Sequence, residues 1–148
     1  MIDVRDGTSG WESTPWWNSE TNFDPNTFTC GATALEDCGG QVVRWYILHF
    51  AAGGSHLGWY YFNTTIGQNY DTAYYNMMQW LVGATLPTGC DIAGTVYSCP
   101  LTRAAGYAGL AVWDTSGPSS YAVPAGGYTQ YRDPNGSVGV SARIGRRS

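Results

Sequence analysis

Between two glycine pairs, Gly39-Gly40 and Gly53-Gly54, the segment GGQVVRWYILHFAAGG is apolar on most sides of a helix. A helix of that character is stable only where other elements cover it, so the fold must be layered around it. The flanking runs set the kind of layer. Upstream, TPWWNSE reads as a short aromatic strand with Pro15 at its start, where a missing N–H is tolerated. Downstream, HLGWYYFN reads as a second aromatic strand. From Asp71 as N-cap, Tyr74, Met77, Met78 and Leu81 recur at helical spacing until Gly83 ends the run. Strand, helix, strand, helix predicts a parallel βαβα unit with a right-handed crossover.

After Leu86 the texture changes. GTVYSC, YAGLAVWD, SYAV, GYTQYRD and SVGVSARI are short β-type runs separated by Gly, Pro, Ser and Asn, a pattern that predicts antiparallel sheet. The expected division is therefore residues 1–86, α/β, and residues 87–148, all β. No internal repeat joins the two, which sets aside solenoids and propellers.

Composition narrows the classes of partner. Only 12% of the 148 residues are charged, lysine is absent, and the net charge is -4. The seven arginines are scattered and form no basic stripe, so nucleic acid is not an expected partner. The longest apolar run, WYILHFAA, is too short to span a bilayer and contains His49, so no membrane partner is expected.

Four cysteines fall into two local pairs, Cys30 with Cys38 and Cys90 with Cys99, each closing a short polar loop. Two loop-stapling disulfides would each contribute roughly 2 to 3 kcal/mol and would belong to a secreted or periplasmic protein; the alternative is four free thiols. The pairs lack zinc-finger spacing, and His49 and His56 lie in apolar or Gly-rich surroundings, so no metal site is expected and His49 reads as a satisfied core histidine. The N-terminus MIDVRDG has neither a basic region nor an apolar core of a signal peptide. Cysteine usage and N-terminus together predict that residue 1 is not the natural start.

The chain has three glutamates, and Glu20 stands at the end of PWWNSE, just before TNF opens a loop. In a parallel barrel, the carboxyl ends of strands carry the active-site groups. That position suits a catalytic carboxylate, and equally a solvated loop residue. If Glu20 points into a barrel mouth, alternation places Asn18 and Trp16 on its side and Trp17 on the outside.

In order, PWWNSETNF, GGQVVRWYILHFAAGGSHLGWYYFNTT and AYYNMMQWLVGAT resemble the seventh strand, seventh helix, eighth strand and eighth helix of retaining (β/α)8-barrel glycoside hydrolases. The likeness is to bacterial cellulase-like or xylosidase-like proteins related to family thirty-nine. There, a P-x-W-x-T/S-E strand ends in the nucleophile, and the match places that role on Glu20. The segment GYAGLAVWDTSGPSSYAVPAGGYTQYRDPNGS resembles the small β-domain beside the barrel in the same proteins. The resemblance thus implies the last two βα units of a TIM-type barrel followed by an ancillary antiparallel β-domain.

Two departures stand out. The family's sugar-floor tryptophan at the end of the eighth strand corresponds to Phe62, with Trp59 three residues earlier, and the chain ends RIGRRS where the family has a further apolar strand. The resemblance implies substrate contacts from Asn18, Trp59, Phe62 and Asn63, and a β-linked plant-type polysaccharide or oligosaccharide as substrate. No cofactor is called for. Retaining chemistry needs a second carboxyl about 5 to 5.5 Å from the first. Glu12 and Glu36 are not placed to supply it: Glu12 precedes the same strand and Glu36 falls in the Cys30 to Cys38 loop. The family's acid/base comes from the fourth strand, so six strands, the missing N-terminal barrel portion, would lie upstream of residue 1.

Two rival classes remain. One is a non-catalytic carbohydrate-binding module using Tyr107, Trp113, Tyr121, Tyr128 and Tyr131; the other is a structural β-rich module with no ligand.

Overall fold

A computed structural model of the chain describes residues 14–21, 35–59, 67–125 and 127–140. Strand β1, Trp16–Thr21, is followed by helix α1, Leu35–Ala51, then β2, Gly54–Trp59, and helix α2, Gly67–Leu81. β1 and β2 pair in parallel, with α1 as the crossover. Among the described residues this sheet has two strands.

α1 ends where its glycines predict. Gly53 takes a positive φ of 83° and its N–H bonds the Phe50 carbonyl at 3.0 Å, so the chain turns directly into β2. Its start lies earlier than expected, and Glu36 belongs to the helix rather than to a loop. Acidic residues at a helix N-terminus complement its dipole, which favours a turn ahead of the glycine pair. α2 likewise begins at Gly67, four residues before Asp71. A capping preference of about 1 kcal/mol does not stop a helix whose preceding turn carries no proline. The stripe expected on α2 is present: Met77 is fully buried, and Tyr74, Met78 and Leu81 pack beside it.

The helix apolar on most sides is only partly covered. Val42, Val43, Tyr46 and Ile47 are buried, but Trp45 and Leu48 stay 43% and 38% exposed.

The second region begins with β3, Asp91–Ala93, and β4, Val96–Arg103. β5, Tyr107–Asp114, completes an antiparallel sheet in the order β3-β4-β5. β6, Gln130–Arg132, and β7, Val138–Val140, form a separate hairpin. β4 runs beyond the GTVYSC pattern, through Pro100 to Arg103. β3 ends its pairing at Ser98, and the next partner on that side is the isolated Thr85 to Thr102 bridge, so Pro100 lies in the gap between them and withholds no ladder hydrogen bond. SYAV forms no strand: flanked by Pro118 and Pro124, it has no ladder partner among the described residues.

Cys90 and Cys99 form a disulfide that joins the residue before β3 to β4. The Cys30 to Cys38 pairing lies outside what is described.

One hydrophobic cluster crosses the expected division at residue 86. Val42, Val43, Tyr46, Ile47, Leu57 and Met77 share it with Cys99, and Ala111 and Trp113 pack against it. Polar ties reinforce the seam. Arg103 Nη2 donates to the Gln79 carbonyl at 2.7 Å, Asn76 Nδ2 donates to the Pro134 carbonyl at 2.9 Å, and Thr85 bridges Thr102.

Candidate functional site

The parallel pair loses register twice. Asn18 pairs with Leu57 and Thr21 with Trp59, so Ser19 and Glu20 together face Gly58 alone. β1 therefore carries one extra residue, a bulge, at its carboxyl end. Gly58 permits it, because a Cβ there would press on the Ser19 carbonyl oxygen. The other shift lies in β2: Trp16 pairs with Gly54 and Trp17 with His56, and the intervening Ser55 donates from Oγ to the Trp16 carbonyl at 3.2 Å.

The two tryptophans lie on the reverse of the sides expected for a barrel mouth, though still on opposite faces of β1 as strand alternation requires. Trp16 packs edge-on against His49 of α1, with ring centroids 4.3 Å apart. Trp17, expected to point outward to the helices, is 66% exposed instead and lies 5.2 Å from the ring of His56.

Of the residues expected to hold a sugar, Asn18 is half-buried on β1. Trp59 ends β2 beside Thr21, and its ring stacks on Tyr46 at 6.2 Å and packs against the core. Phe62 and Asn63 lie outside the described residues. At the carboxyl edge of the parallel pair Trp59 thus lies opposite Thr21, one residue beyond Glu20.

His49 is not the satisfied core histidine the sequence suggested. It is 6% exposed, and its Nε2 has no hydrogen-bond partner among the described residues. Its ring lies over the bare Cα of Gly54, where a methyl group would overlap Nε2. Burial pushes its pKa below the usual histidine value, against the opposing pull of a hydrogen bond with the His56 backbone. The sequence holds no signal for this contact, because it depends on the shift in β2. Nearby, burial and the Tyr74 hydroxyl raise the Tyr46 phenol above its ordinary range, and Tyr46 Oη donates to the Leu57 carbonyl at 3.4 Å.

The aromatic residues of the β-region are largely engaged. Trp113 stacks on Tyr97 with centroids 5.0 Å apart, and Tyr107 lies under the Arg103 guanidinium at 4.1 Å. Tyr131 lies across Gly139 and remains exposed, while Tyr121 and Tyr128 are half-buried.

No group of three or more His, Cys, Asp or Glu among the described residues could hold a metal ion, and no described helix is long and apolar enough to cross a membrane. Comparison with protein-family models, curated proteins and solved structures returned no match.

Proposed function

We propose that this chain is the C-terminal part of a retaining (β/α)8-barrel glycoside hydrolase, with Glu20 as nucleophile toward a β-linked plant-type polysaccharide or oligosaccharide. The observation that carries this reading is the bulge at Ser19 and Glu20 on the carboxyl end of a parallel strand. Parallel sheets gather their ligands at that end, and bulges collect beside active sites because they re-aim one side chain. In this reading residues 1–86 belong to the barrel and 87–148 to an ancillary domain. Asn18, Trp59, Phe62 and Asn63 contact sugar, and no cofactor takes part.

The chemistry proceeds in two displacements. The Glu20 carboxylate attacks the anomeric carbon while an acid from the upstream strands protonates the departing oxygen, leaving a glycosyl ester on Glu20. Water, deprotonated by the same upstream group, then cleaves the ester and restores the carboxylate. The upstream barrel portion joins along the strand edges that β1 and β2 leave unpaired among the described residues. The Cys90 to Cys99 disulfide is compatible with export.

In the complete barrel, Glu20→Gln is expected to lower kcat by several orders of magnitude while sugar binding survives, since an amide is nearly isosteric but cannot form the ester. An activated 2-fluoro sugar is expected to label Glu20. Labelling elsewhere, or a variant within about tenfold of wild type, overturns the assignment. The 148-residue chain alone is expected to be silent, because it lacks the general acid.

A second reading, sugar binding without catalysis, draws on the exposed Trp17 ring beside His56. Trp17→Ala would then weaken oligosaccharide binding to the isolated chain, while Glu20→Gln would leave it unchanged.

A further inference from the structure

The buried imidazole of His49 closes the seam between α1 and the parallel pair, and its surroundings accept only one charge state. Trp16 of β1 packs on it edge-on at 4.3 Å, and Phe50 of its own helix at 5.3 Å; neither ring offers an oxygen to accept a hydrogen bond from a second ring proton. From β2, the bare Cα of Gly54 occupies the side of Nε2, with no room for even a methyl group. A proton on Nε2 would therefore point at carbon rather than at an acceptor. The titratable group facing His49 is His56 on β2, whose backbone bonds the ring and whose own charge would repel a second one. No described carboxylate enters the interactions of this ring.

We propose that His49 is an acid-sensitive latch: neutral, it holds α1 onto β1 and β2, and once protonated it must leave its site, so that this unit opens locally while the β3-β4-β5 sheet stays closed. This does not depend on the glycosidase reading. Burial holds the His49 pKa below 6.5, so between that value and its folded pKa the open state binds the extra proton. The closed form is thus fully favoured above pH 6.5 and loses ground as pH falls. Local opening of this kind is within the range of ordinary native-state fluctuations and is read by amide exchange.

The test is histidine NMR titration and residue-resolved hydrogen exchange on the full 148-residue chain at about pH 7.5 and 5.0. His49 is expected to titrate below 6.5. After correction for intrinsic rates, α1 and β2 amides should exchange faster at the lower pH than those of β4 and β5, by a factor approaching about 30, the limit set by about 1.5 pH units. His49→Gln carries no charge at either pH and is expected to lose this differential, whatever its overall stability; His56→Gln is expected to keep it. A midpoint at or above 6.5 in the wild type overturns the latch, as does an acid response that persists in His49→Gln or vanishes in His56→Gln. If His49→Gln does not fold, the wild-type midpoint and exchange differential decide the matter.

Discussion

The β4-β5 hairpin keeps register without interruption from Val96 opposite Asp114 to Arg103 opposite Tyr107, whereas β1 and β2 lose register twice. The antiparallel pair is closed by the short turn at Ala104–Gly106 and is specified by neighbours in sequence. The parallel pair must wait for α1 to cross over, and its alignment is set by what α1 lays against it. His49 needs the bare Gly54, and the bulge at Glu20 needs the bare Gly58. Irregularity thus collects in the parallel pair, where register is not dictated by a turn.

The largest expected effect asks whether these regions are separate at all. Met77 is fully buried in the cluster that joins α1 and α2 to β4. Met77→Ala is expected to cost about 3 kcal/mol, and to lower the unfolding midpoints of helix and sheet signals together in urea. Two transitions, with only the helical one displaced, would show that the shared cluster does not couple them.

Next in size, Cys90→Ala with Cys99→Ala removes the staple on one side only. Closing so short a loop contributes about 2.5 kcal/mol in the chain-entropy model. Amide exchange should rise first in β3 and the adjoining part of β4, and least in β1. Equal loosening of both regions would mean that the staple stabilises the shared core rather than the hairpin.

Acid separates the regions further. The Asp114 carboxyl is held well below its usual value by hydrogen bonds from the Ser116 side chain and backbone, with Oγ at 2.7 Å and N at 2.8 Å. For Asp133, burial pulls upward, but bonds from the Ser137 side chain and backbone and from Asn135 and Gly136 prevail, and its pKa is lowered. Below 3.8 the unfolded chain binds more protons at both sites, so their stabilisation is intact above that pH and drains away below it. Acid titration followed by amide exchange should therefore disturb α1 and β2 first, and the turns at Asp114 and Asp133 only at lower pH. Asp114→Asn should remove the part of the lower window read at its own turn, leaving that of Asp133 and the upper window in place.

The smallest effect is a gain. Ala105 sits at a positive φ of 62°, unfavourable for a residue with a Cβ. Ala105→Gly is expected to add about 0.5 to 1 kcal/mol, measured as a raised melting midpoint. A loss instead would mean that the entropy glycine regains in the unfolded chain outweighs the strain.

Much of the element order could be read directly: TPWWNSE, the HLGW start of the second aromatic run, the helix between them, the Met77 stripe and the β-runs around Trp113 form elements where the pattern predicts them, while residues 60–63 lie outside the described residues. β3 is invisible in the sequence because three residues carry no period; its ladder to β4 is set by the neighbouring disulfide and the turn at Gly94. The end of β4 was hidden by Pro100, whose tolerance there depends on how far its neighbour strand extends.

For the site, the sequence by itself determined that a glutamate would stand at the close of an aromatic strand, because side-chain chemistry and strand propensity are local properties. Which tryptophan meets the helix, where the strand bulges, and that His49 is shut against a glycine were decided only by tertiary structure. Strand alternation has a period of two, so a single inserted residue reverses every assignment after it, and whether that residue is inserted depends on contacts with chain far away in sequence.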